Sequence, residues 1–143
     1  MIESILLVDD ENLFHLVFED ACSLLDISLS LECVNSSDHA EDMFKDMYEN
    51  SKTKPECVFV DLNIIGSTFD GIELIRKINF EYGNNVVIGI ISSSNETEEQ
   101  SRAIQAGAQF WIVKCDEIEP RLESFRDDYD GYLNRTAPFK IYD

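Results

Sequence analysis

Five apolar runs punctuate the chain, and four of them end abruptly on a polar or charged residue. Ile5–Val8 runs into Asp9, Cys57–Val60 into Asp61, Val86–Ile91 into Ser92 and Phe110–Val113 into Lys114. The remaining run, Leu29–Val34, is interrupted by Ser30 and Glu32. Most are too short for helices and rich in β-branched residues, so all five predict strands. The continuous runs suit central strands buried on both faces, and the interleaved one suits an edge.

Between the runs the apolar spacing lengthens to that of helices. Phe14, Val17, Phe18, Ala21 and Leu25 share one face, with Glu11, His15, Glu19 and Asp26 on the other. Ala40, Met43, Phe44 and Met47 repeat the spacing, with Ser37 or Asp38 as the expected N-cap. Ile72, Ile75, Ile78 and Tyr82 do so after Asp70. A fourth helix near Glu96–Ala106 is weakly amphipathic. A fifth places Leu122, Phe125, Tyr129 and Leu133 inward, with Pro120 tolerated in its first turn. Strand and helix thus alternate five times, which predicts an α/β fold with a parallel sheet covered on both faces. Residues 1–136 read as one domain and 137–143 as a short C-terminal tail.

Composition narrows the function classes. The 143 residues carry 29 acids against 11 bases, a formal charge of −18. Such a surface repels nucleic acid and anionic lipid, and it favours cations and basic partner surfaces. Cys22, Cys33, Cys57 and Cys115 form no C-x-x-C pair and no zinc-ligand spacing. They read as small hydrophobes in a reducing compartment. Met1-Ile2-Glu3-Ser4 lacks the basic start of a signal peptide, and the longest apolar run is too short to span a bilayer. The expected location is cytoplasmic, with no nucleic-acid or membrane partner. His15 and His39 read as solvated helix positions.

Ligands bind open parallel sheets at the carboxyl ends of the strands. Here those ends carry Asp9, Asp10, Asp61, Ser92 and Lys114. Three neighbouring carboxylates cannot all stay ionised without a cation. An oxygen-only donor set selects a hard ion such as Mg²⁺. With that ion and Lys114 to neutralise a phosphoryl group, and Ser92 to donate to it, Asp61 becomes a candidate nucleophile.

These residues resemble the receiver domains of two-component response regulators, of the single-domain chemotaxis-regulator type. The matching pieces are Val8-Asp9-Asp10-Glu11, Val60-Asp61-Leu62-Asn63, Asp70-Gly71, Ile91-Ser92-Ser93 and Ala106-Gly107-Ala108 with Trp111-Ile112-Val113-Lys114. The resemblance runs from Ile5 to about Leu133. It implies a doubly wound, flavodoxin-like, five-stranded parallel sheet of order 2-1-3-4-5 with five helices. It also implies that Asp61 accepts phosphate from a phosphohistidine on a histidine kinase or histidine phosphotransfer protein. Mg²⁺ would be held by Asp9, Asp10, Asp61 and the main-chain carbonyl of Asn63. Ser92 and Lys114 would contact the phosphoryl group, and Trp111 would occupy the aromatic switch position. A downstream protein would dock on the face made by the fourth helix, fifth strand and fifth helix.

The chain departs from the family pattern in three places. The stretch from Asp61 to Asp70-Gly71 is longer than usual, with Ile64-Ile65 in place of Met-Pro. Trp111 is larger than the usual switch aromatic. Cys115 replaces a proline that normally follows the lysine through a cis bond. A non-proline cis bond costs about 3–4 kcal/mol, which leaves the geometry of Lys114–Cys115 open.

With no effector region expected after the receiver, output would run through partner binding or onward transfer to another histidine. Three other readings compete. An aspartyl-nucleophile phosphatase would need a second acid two residues after Asp61, where Asn63 stands. A nucleotide or flavin carrier would need a Gly-rich phosphate loop, and none is present. A degenerate receiver used only as a binding module would not need the complete acid, hydroxyl and lysine set.

Overall fold

The computed structural model describes residues 2–50, 55–64, 66–83 and 86–143, apart from the side chains of Leu29 and Tyr48. Its elements are β1 (Ile2–Val8), α1 (Asn12–Leu24), β2 (Ser28–Val34), α2 (Ser37–Glu49), β3 (Cys57–Val60) and α3 (Gly71–Tyr82). They continue as β4 (Val87–Ser92), α4 (Thr97–Ala106), β5 (Phe110–Val113), α5 (Glu119–Leu133) and β6 (Lys140–Tyr142). Every strand pair is parallel, in the order β2-β1-β3-β4-β5-β6. The expected order 2-1-3-4-5 is present, and β2 is an edge as its interleaved pattern predicted.

Among the described residues the sheet has six strands, one beyond the five expected. Residues 140–142 pair with β5, so part of the expected tail is a strand of the sheet. A three-residue strand carries too little periodicity to announce itself in sequence. It exists because Tyr142 has an aromatic pocket to fill and β5 has a free edge to offer.

The sheet divides the core in two. On one side Phe18, Phe59, Phe110 and Phe125 pack with Tyr129, Tyr132 and Tyr142 beneath α1 and α5. On the other, Phe44, Ile72, Ile75, Ala103 and Trp111 pack beneath α2, α3 and α4. Central strands buried on both faces explain why Ile5–Val8 of β1, all of β3 and Val87–Ile91 of β4 read as unbroken apolar runs.

Two local expectations change. Ser36, not Ser37 or Asp38, caps α2, its hydroxyl accepting from the His39 N–H at 3.1 Å. Ser37 is instead buried, and its hydroxyl donates to the Phe69 carbonyl at 2.7 Å. On α5, Leu133 points outward, 51% exposed, and Tyr132 takes the inward place. The helix is inward at 122, 125, 129 and 132, a choice that the aromatic pocket makes. Asp70 caps α3 as expected, accepting from the Glu73 N–H at 2.9 Å.

Candidate functional site

The carboxyl edge of the sheet positions the site through backbone pairing. The Asp9 N–H donates to the Val34 carbonyl at 3.0 Å, and the Asp61 N–H to that of Val8 at 2.8 Å. The Lys114 N–H donates to the Ser92 carbonyl at 2.9 Å. These bonds extend the ladders one residue past the strands, so four neighbouring strand ends deliver their polar residues to one place. Gly71 closes it from the α3 side. A Cβ there would lie 2.1 Å from the Asp61 carbonyl oxygen, so only glycine permits this approach.

Lys114 lies at the centre. Its ammonium is 2.6 Å from Asp9 Oδ2, 3.1 Å from Glu11 Oε1 and 3.5 Å from Asp61 Oδ2. It also sits over the Phe14 ring, 4.6 Å from the centroid. Asp9 is fully buried, and its Oδ1 accepts from the Glu11 N–H at 2.8 Å. Its Oδ2 is an orphan among the described residues, with no well-directed hydrogen bond despite the close ion pair. His15 Nε2 donates to the Asp9 carbonyl at 2.5 Å, so this half-buried histidine braces the acidic turn instead of being merely solvated.

The electrostatics follow from burial. Asp61 is pushed up to about 7, first by desolvation and then by the charge of Asp9, against the pull of Lys114. Burial likewise lifts Asp9 above the usual carboxylate range, although Lys114 opposes it. Burial disfavours the charge on Lys114, but the surrounding carboxylates outweigh this and raise its pKa. One lysine therefore underbalances the acids around it.

A hard cation fits this donor set. Oxygens of Asp9, Glu11 and Asp61 lie within 4.8 Å of one another, with a single lysine ammonium shared among them. Asp10 is half-buried at the same edge, and its charge contributes to the raised pKa of Asp61. Glu11 is the residue that sequence reasoning assigned only to an outer helix face. The run of three acids after β1 was the signal that could have placed it at the site.

Of the other expected site residues, Ser92 is buried at the end of β4, and its hydroxyl accepts from the Ser94 N–H at 3.4 Å. Asn63 is exposed on the loop after Asp61. Trp111 is completely buried on the α3–α4 side, its indole N–H donating to the Ser94 carbonyl at 2.8 Å. No cis peptide bond occurs among the described residues, so Lys114–Cys115 is trans. Ile65, part of the departure from the family pattern, lies outside the described residues. The four cysteines are free. No helix among the described residues is long and apolar enough to cross a membrane.

The family model of the response regulator receiver domain matches residues 5–123. Among solved structures, the Mn(2+)-bound form of response regulator Rcp1 is 16% identical, with a TM-score of 0.72 over 92% of this chain and 94% of that one. The phosphorylated cyanobacterial phytochrome response regulator RcpA is also 16% identical, with a TM-score of 0.74 over 94% of this chain and 96% of its own. At such identities these likenesses show the fold alone. NtrX from Brucella abortus is 25% identical, with a TM-score of 0.75, over 95% of this chain but only 28% of NtrX. No curated protein sequence is significantly similar to the chain.

Proposed function

The chain belongs to the response regulator receiver family, and on that premise we propose that Asp61 is its phosphoacceptor. Receiver domains are signalling modules of two-component systems, not metabolic enzymes. The observation that carries the reading is the Lys114 ammonium, poised between Asp9 and Asp61 at the carboxyl edge of the sheet. An Asp61 oxygen would attack the phosphorus of a phosphohistidine as the P–N bond breaks, and the imidazole would leave and regain a proton from solvent.

Each group has a role in this reaction. Lys114, already held by acids, would swing its charge toward a phosphoryl oxygen. Ser92 would donate its hydroxyl to another. Asp9, Asp10, Asp61 and the Asn63 carbonyl would hold Mg²⁺, with Glu11 close enough to contribute through water. When bound, the ion neutralises charge that builds on the phosphoryl oxygens. The all-oxygen donor set, with only one lysine to balance its acids, favours such an ion. Two fold relatives, Mn(2+)-bound Rcp1 and phosphorylated RcpA, support this reading.

The donor would be a histidine kinase or a histidine phosphotransfer protein in the cytoplasm. The output would be a protein that reads the face around α4, β5 and α5, with Trp111 reporting the state of the site. Mass spectrometry after incubation with acetyl phosphate and Mg²⁺ tests the assignment. One phosphoryl group, labile to hydroxylamine, should appear on the parent and not on Asp61→Asn. Equal labelling of that variant would refute it.

A further inference from the structure

β6 lies along the outer edge of β5 with Phe110 opposite Lys140, Trp111 opposite Ile141 and Ile112 opposite Tyr142. It is latched on both faces. Towards α5, Tyr142 is buried and its ring meets Phe125 edge-on at 6.0 Å. The Tyr132 and Tyr142 hydroxyls are 2.8 Å apart, and Tyr142 donates onward to Asp128 at 2.7 Å. Lys140 pairs with the same carboxylate at 3.1 Å. Towards α4, Phe139 and Ile141 pack against the cluster that contains Trp111. Trp111 in turn is tied to the Ser94 carbonyl, two residues past Ser92.

We propose that β6 is a displaceable strap on the β5 edge, coupled through Trp111 to the phosphoryl state of Asp61. The proposal rests on the phosphoacceptor reading above. A Ser92 hydroxyl drawn to a phosphoryl oxygen carries Ser93 and Ser94 with it. The indole then loses the Ser94 carbonyl, and a buried N–H without a partner is costly. Trp111 repacks, and Ile141, its neighbour in the ladder, loses the surface it lies on. A three-residue edge strand with its own polar latch is the kind of element that opens locally at small cost. While docked, it withholds the β5 edge from any other strand.

Hydrogen exchange of the full chain in Mg²⁺, with and without beryllofluoride, tests this. Fluorine NMR reports separately whether beryllofluoride is bound. With it bound, the peptide covering residues 134–143 should exchange about tenfold faster, while β1 and β3 stay protected. Tyr142→Phe removes the latch hydroxyl without leaving a cavity. Because coupling is reciprocal, that variant should bind beryllofluoride about fivefold tighter than the parent. Bound beryllofluoride with unchanged exchange at 134–143 would overturn the strap and leave the phosphoacceptor reading intact. Unchanged affinity in Tyr142→Phe would also overturn it. No bound fluoride signal in the parent would refute the phosphoacceptor reading, and the coupling would fall with it.

Discussion

Replacing Asp61 by Asn should stabilise the metal-free protein, even though it removes the residue on which the proposed chemistry depends. Asp61 is 5% exposed, and burial and the Asp9 charge push its carboxyl from 3.8 to about 7. The sign follows from the raised value. Below about pH 4 the carboxyl is neutral in both folded and unfolded chains, and no penalty arises. Between about pH 4 and pH 7 the unfolded chain ionises while the folded one holds its proton, so stability falls as pH rises. Above about pH 7 the full penalty is reached, which for this shift is about 4 kcal/mol. Relaxation and water entry reduce it, and the buried amide has its own cost, leaving a net gain of about 2 kcal/mol for Asp61→Asn at pH 8. For a chain of this length that corresponds to about 6 °C in Tm. At pH 5 the gain should shrink to about a third. Urea denaturation in EDTA at the two pH values measures both. Added Mg²⁺ should narrow the difference by stabilising the parent more than the variant. A parent as stable as the variant at pH 8 in EDTA, or a gain independent of pH, would refute the charge imbalance read from the site.

Three further outcomes follow from the same geometry. Lys114→Met leaves Asp9 and Asp61 without their cation and should cost about 3 kcal/mol at pH 8 in EDTA, read by urea denaturation. Gly71→Ala forces a methyl group against the Asp61 carbonyl and should cost about 2 kcal/mol, with slower labelling by acetyl phosphate seen in a mass-spectrometric time course. Hydrogen bonds from Tyr142 and Lys140 hold the Asp128 carboxyl below its ordinary range. Its contribution is therefore present above that range and lost as pH falls through the folded value. Protection of residues 134–143, with exchange corrected for its intrinsic pH dependence, should fall on acidification below the ordinary carboxylate range, and Asp128→Asn should remove the step.

The alternation of apolar runs with helical spacings was enough to determine five parallel strands and five helices, because period-2 and period-3.6 patterns are local properties. The strand ends were equally legible. An apolar run that stops on Asp9, Asp61, Ser92 or Lys114 marks where the chain leaves the core, and parallel strands bring such ends together. What the sequence by itself could not determine depended on which surfaces meet. Glu11 joins the site because, as the extended N-cap residue just before α1, it reaches Lys114, a residue 103 positions away. Tyr132 displaces Leu133 from the core because an aromatic pocket, assembled from β3, β5, α5 and β6, fits a ring there. β6 has only three residues and no pattern of its own. It is a strand because the β5 edge has hydrogen-bonding groups to satisfy, and because Tyr142 finds Phe125, Tyr132 and Asp128 already in place. Those partners all lie on α5, and only the packing of that helix against the sheet brings them within reach of residues 140–142.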